Sequence, residues 1–267
     1  DPRITPDGLH VVFTSRANNF SVFDNNGTTD VYRHDLLTGQ TVLVSCSGLG
    51  LVGNDGSGVA SVSADGRFVA FRSLASNLVP SDGNGVADVF VKDLQTGAVE
   101  LASNASPTVG GNLTAGSAVI SDDGRYVAFD SYANNLVPGD TNATSDVFVR
   151  DRQTGTTHRI SQGAGGNQAN GPSNVLDISE DGLSVLFLSW ASNLVPADTN
   201  NCVDQFVSDP IGANVERVTI GTGAQEADGN SMFGSLSSDG RFVVFSTYAT
   251  NLTAGDTNQE SDVLRRD

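Results

Sequence analysis

The densest concentration of oxygen donors in the chain is the pattern Asp-x-Asn-x-x-x-Asp. It occurs as Asp24-Asn26-Asp30, Asp82-Asn84-Asp88, Asp140-Asn142-Asp146, Asp198-Asn200-Asp204 and Asp256-Asn258-Asp262. Hard cations such as Ca2+ take roughly six to eight oxygens, and alternating acidic and amide side chains in a tight loop supply several. Each copy is therefore a candidate calcium loop; no cofactor is required by the sequence. A metal-free reading stands beside this one. Asp and Asn at loop starts make Asx-turns, and the last Asp can cap the start of a strand.

Groups with catalytic potential are scattered. His10, His34 and His158 lie far apart with no metal-ligand spacing, and read as exposed strand residues. There is no Gly-x-Ser-x-Gly elbow and no phosphate-cradling glycine loop. Carboxylate pairs are abundant but recur at regular intervals, which suits a structural role better than one active site. The sequence therefore points to no catalytic residue and to a protein that is not an enzyme by itself. One aromatic column, Tyr132, Trp190 and Tyr248, aligned with Arg16 and Leu74, is a ligand-face candidate. Exposed, it would bind sugars or a protein; packed between sheets, it is core, and the balance favours core.

The interval is 58 residues. Asp-Gly stands at Asp7-Gly8, Asp65-Gly66, Asp123-Gly124, Asp181-Gly182 and Asp239-Gly240. Asn19, Asn77, Asn135, Asn193 and Asn251 keep the same register, as do Ala17, Ala75, Ala133, Ala191 and Ala249. Repetition at this period marks an array of like units. In the third copy, Ser117–Ser121, Arg125–Ser131, Asp146–Arg150 and Thr156–Ile160 read as strands. Turns fall at Asp122-Asp123-Gly124 and at Asp151–Gly155, where Gly155 suits a positive φ. Four short strands per unit and no helical periodicity predict an all-β propeller of five four-stranded antiparallel blades. The expected blades are approximately 1–58, 59–116, 117–174, 175–232 and 233–267, forming a single array. The last blade is incomplete, so its outermost strand is expected from outside these residues.

The run Ser121-x-Asp123-Gly-Arg-Tyr-Val-Ala-Phe129, followed by Asp146-Val-Phe-Val-Arg-Asp151 and Thr-Gly, resembles the TolB-type (WD40-like) propeller repeats of bacteria. The resemblance spans essentially the whole chain. It implies a secreted, periplasmic or surface-attached protein that serves as an interaction platform or as the propeller beside a peptidase domain. The sialidase box Ser-x-Asp-x-Gly-x-Thr-Trp is not matched, because Arg125 and Val127-Ala128 stand at its Gly and Thr-Trp positions.

A formal net charge of −17 disfavours a nucleic-acid partner and an anionic membrane surface. No apolar run is long enough to insert in a membrane. Cys46 and Cys202 occupy different repeat positions and read as unpaired thiols. Lys92 is the only lysine, and the Gly/Asn/Asp/Ser/Thr-rich composition leans extracellular. The reading these features support is an extracellular, cell-surface or periplasmic scaffold that contacts a protein partner or assembles with itself through its open blade edge. A lectin-like propeller binding glycan, or an accessory propeller of a larger hydrolase, are the alternatives.

Overall fold

The computed structural model describes residues 2–267, and its regular structure is almost entirely β. The first sheet contains β1 (Arg3–Ile4), β2 (His10–Ser15), β3 (Asp30–Asp35) and β4 (Thr41–Leu43). The second contains β5 (Ser57–Val62), β6 (Phe68–Ser73), β7 (Asp88–Asp93) and β8 (Val99–Leu101). A small hairpin, β9 (Asn104–Ser106) and β10 (Val109–Gly110), lies in the crossover to the third sheet. That sheet is β11 (Ala115–Ile120), β12 (Tyr126–Ser131), β13 (Asp146–Asp151) and β14 (Thr156–Arg159). A second hairpin, β15 (Gln162–Gly163) and β16 (Asn167–Gln168), brackets a single 3-10 turn. The fourth sheet then follows as β17 (Ser173–Ile178), β18 (Val185–Ser189), β19 (Asp204–Ser208) and β20 (Val215–Arg217). The fifth has three strands, β21 (Ser231–Leu236), β22 (Val243–Thr247) and β23 (Asp262–Arg266). Within each sheet the strands are antiparallel and in sequence order, as a propeller blade requires.

Stacking explains why the strands alternate only in part. Val12 and Val31 of the first sheet pack on Val69, Phe71 and Phe90 of the second. Ala70 and Val89 of the second meet Val127, Phe129 and Phe148 of the third. Ala128 and Val147 meet Val185, Phe187 and Phe206 in turn. A sheet covered on both faces needs apolar residues on both, so Val-Ala-Phe and Val-Phe-Val runs replace strict alternation. Backbone bonds also link successive sheets. Ala64 N–H donates to Asp122 O, Asp122 N–H to Glu180 O, and Glu180 N–H to Ser238 O, each at 3.0 Å.

The Asp-Gly column is a turn built by its own side chains. Asp123 Oδ1 accepts from Ser121 Oγ at 2.6 Å and from Arg125 N–H at 2.8 Å, and Gly124 takes φ +71°. Gly155 likewise takes φ +71°, as its turn demanded. Cys46 and Cys202 are free thiols. The histidines differ from expectation. All three are half-buried rather than exposed. His10 lies beneath Gly66 of the next sheet and 3.9 Å from Asp35, and His34 Nδ1 is 2.9 Å from Thr41 Oγ1.

Candidate functional site

The acidic loops join the second strand of each sheet to the third, and each is tied to the neighbouring crossover. Asn26, Asn84, Asn142 and Asn200 use their amide N–H groups twice. They donate to Asp30, Asp88, Asp146 and Asp204 Oδ2 at 2.8, 2.5, 2.8 and 2.9 Å. They also donate to the carbonyls of Gly53, Gly111, Ala169 and Ala227 at 2.9, 2.8, 3.1 and 3.0 Å. Their Oδ1 atoms accept the N–H two residues on, from Thr28, Val86, Thr144 and Cys202. Two acceptors on one side and a donor on the other fix the amide orientation. The oxygen expected to face a cation is therefore turned toward its own loop backbone, in an Asx-turn, in these four loops. Asn258 Oδ1 makes the same turn with Glu260 N–H.

The last Asp of the motif is a buried carboxylate with assigned partners. Asp30, Asp88, Asp146 and Asp204 are at most 1 % exposed. Their Oδ1 atoms accept from Ser45, Ser103, Ser161 and Thr219, at 2.6, 2.7 and 2.5 Å for the three serines. The same hydroxyls accept the N–H of Val31, Val89, Val147 and Gln205, stapling the third strand to the residues that follow the fourth. Burial pushes all four carboxyls above the usual range, against the lowering effect of these hydrogen bonds.

The first Asp of the motif differs from loop to loop. Tyr32 Oη donates to Asp24. Arg159 and Arg217 lie beside Asp140 and Asp198, at 3.5 and 3.2 Å, and Glu226 joins the fourth loop 2.8 Å from Arg217. Asp82 has no such partner, and burial with Asp88 beside it pushes its carboxyl up to about 6. Asp256 and Asp262 of the fifth loop are partly open to solvent. Among the described residues no cluster of three or more His, Cys, Asp or Glu side chains is arranged to hold a metal.

The serine/threonine column and the two arginines were not anticipated. Their signal lies in the same 58-residue register: Ser45, Ser103, Ser161 and Thr219 form one column, and Leu43, Leu101, Arg159 and Arg217 another.

Tyr132, Trp190 and Tyr248 are 49, 47 and 58 % exposed, which corrects the balance toward core. The reason is local. Each is followed by a buried alanine of the Ala133, Ala191 and Ala249 column, so the aromatic ring is directed the other way. The Asn column proves to be a clasp. Asn77, Asn135 and Asn193 accept the N–H of Asn54, Asn112 and Asn170 and donate to Val52, Gly110 and Gln168 carbonyls.

No protein-family model matches the chain, and no curated protein sequence matches it. Solved structures do. TolB from Acinetobacter baumannii is similar at 21% identity and TM-score 0.51, over 94% of this chain and 51% of that one. The protein described as TolB from Agrobacterium tumefaciens is similar at 18% identity and TM-score 0.57, over 100% of this chain and 76% of that one. The acylaminoacyl peptidase of Pyrococcus horikoshii is similar at 12% identity and TM-score 0.55, over 100% of this chain and 38% of that one. The chain thus spans about half the length of the Acinetobacter TolB, and the likeness is one of fold.

Proposed function

Starting from a TolB-like β-propeller fold, we propose that this chain is a non-enzymatic scaffold, placed outside the cytoplasm, whose fifth-sheet edge takes an added β-strand, which a second copy supplies when the chain is alone. The observation that carries this reading is the unpaired backbone along β23, at the edge of a sheet whose one face is bare as well. Val31, Val89, Val147 and Gln205 are each 0 % exposed, whereas Val263 in the same column is 72 % exposed. Val12, Ala70, Ala128 and Leu186 are at most 1 % exposed, against 43 % for Val244. The backbone is open as well. Val31, Val89, Val147 and Gln205 carbonyls accept from Val44, Ala102, Ile160 and Val218, while no strand pairs beyond β23 among the described residues.

An open edge is a template for strand addition. Two copies of β23 pairing antiparallel about Leu264 set Val263 opposite Arg265 and Asp262 opposite Arg266. The outward N–H and C=O groups of Val263 and Arg265 are then matched, and each pair of termini carries opposite charges. Centring on Arg265 instead would oppose two like charges.

Sedimentation velocity tests this. The expected result is a concentration-dependent dimer, weakened by Arg266→Asp and by Val263→Pro, and restored when Asp262→Arg accompanies Arg266→Asp. A chain that stays monomeric at high concentration overturns the reading. The half-exposed aromatic column favours a second reading, glycan binding at the loop face. Trp190 is the only tryptophan and so reports on it directly: fluorescence quenching by oligosaccharides would support a lectin over a self-assembling scaffold.

A further inference from the structure

The acidic loops are copies of one another, so the group that balances one carboxylate pair shows what another lacks. In the third loop Arg159 Nη1 stands 3.5 Å from Asp140 Oδ1 and 3.9 Å from Asp146 Oδ2. In the fourth, Arg217 Nη1 stands 3.2 Å from Asp198 Oδ1 and 3.4 Å from Asp204 Oδ2. Both arginines occupy one repeat position and are at most 9 % exposed. The first and second sheets hold Leu43 and Leu101 there. The first loop has a partial substitute, since the Tyr32 hydroxyl donates to Asp24 Oδ2, while Asp24 Oδ1 is left without a partner. The second has none, because Phe90 takes the place of that tyrosine.

Asp82 is 7 % exposed and its Oδ1 has no hydrogen-bond partner. In the third and fourth loops the corresponding Oδ1 faces the guanidinium. Among the described residues no basic side chain comes within 4.0 Å of Asp82 or Asp88. A buried carboxylate pair without a counter-charge is a costly arrangement, and a bound cation relieves it.

We infer that the Asp82–Asp88 pair is a weak calcium site, the ion standing where a guanidinium stands in the next two sheets. Oxygen is the only donor type present, which selects a hard cation, and a divalent ion balances two carboxylates. Asp88 already accepts from Ser103 and Asn84, and each of its oxygens retains a further lone pair. Asn84 directs its amide N–H groups at Asp88 and Gly111, so its oxygen is turned to the Val86 N–H, away from the carboxylate pair. Water completes the shell, which Ca2+ tolerates better than Mg2+ does. So few protein charges place the affinity with the weak class, Kd on the order of 10⁻⁴–10⁻³ M. This site is remote from the dimer argument and does not depend on it.

The test compares melting temperature in calcium chloride with that in chelator at matched ionic strength, together with calorimetric titration of calcium alone. The wild-type chain is expected to gain about 3–6 °C when calcium is at roughly ten times Kd, with about one ion bound per chain. Asp82→Asn keeps the shape and is expected to lose the response. Leu101→Arg rebuilds the arrangement of the third and fourth sheets and is expected to lose it too, its own guanidinium taking the position. Asp256→Asn in the fifth loop should leave it unchanged. A wild-type chain indifferent to calcium overturns the inference, as does a response that survives Asp82→Asn.

Discussion

Asp130 shows how burial tunes single residues in this array. It is 5 % exposed, and burial raises its carboxyl to about 6 although the Ser117 N–H donates to it. Its folded pKa lies above the unfolded value, so the folded state holds an extra proton between about pH 4 and 6. The stability this contributes is present below pH 4 and is lost as pH rises through 6. Asp130→Asn is expected to flatten that dependence between pH 4 and 6, as read by urea unfolding across pH 4 to 8. Ser161→Ala should lower stability outright. It strips a hydroxyl from buried Asp146 and leaves the Val147 N–H unpaired, at a cost of about 2–3 kcal/mol in the same measurement. At this scale the sequence was half legible. Asp and Asn columns are visible, and the Asx-turn is a contact within one loop. Ser161 and Arg159 meet Asp146 only through the pairing of β13 with β14, a relation that motif spacing does not display.

The strands and turns were the most legible part, because the chemistry that sets them is local. The Ser-x-Asp-Gly turn folds on itself through Asp123 and needs only Gly124's positive φ. Its tertiary role was hidden. A Cβ built at Gly124 would stand 2.3 Å from Phe68 Cδ2 of the preceding sheet. Gly124→Ala therefore combines an unfavourable φ, roughly 1 kcal/mol, with a clash between sheets. The expected loss exceeds that of Gly139→Ala, a glycine at φ +76° with open space around it, and thermal melts of the two variants separate the terms. The aromatic column fails in the same way. Tyr132 follows a strand, and only the burial of Ala133 beside it reveals which way its ring is directed.

At the scale of the whole molecule, the 58-residue period made the architecture plain, yet it treats every copy as equal, and the structure does not. Each sheet packs only on its neighbours, so stability is close to a sum of unit and interface terms. The third sheet has an apolar partner on each side, with Ala128, Phe129, Val147 and Phe148 all at 0 % exposure. The fifth shares one small cluster, Val243 and Phe245 with Leu186 and Val218, and its other face carries exposed Val244 and Val263. Local opening should cost least where apolar contact is least. Amide hydrogen exchange of the monomer is therefore expected to be slowest in β12 and β13 and orders of magnitude faster in β22 and β23. Dimer formation through β23 adds partners for the Val263 and Arg265 amides, so protection there should rise with protein concentration while that of β12 stays fixed. Equal protection of the third and fifth sheets in dilute monomer would instead mean that the array opens as one cooperative unit, with interface terms large enough to hold its bare end closed.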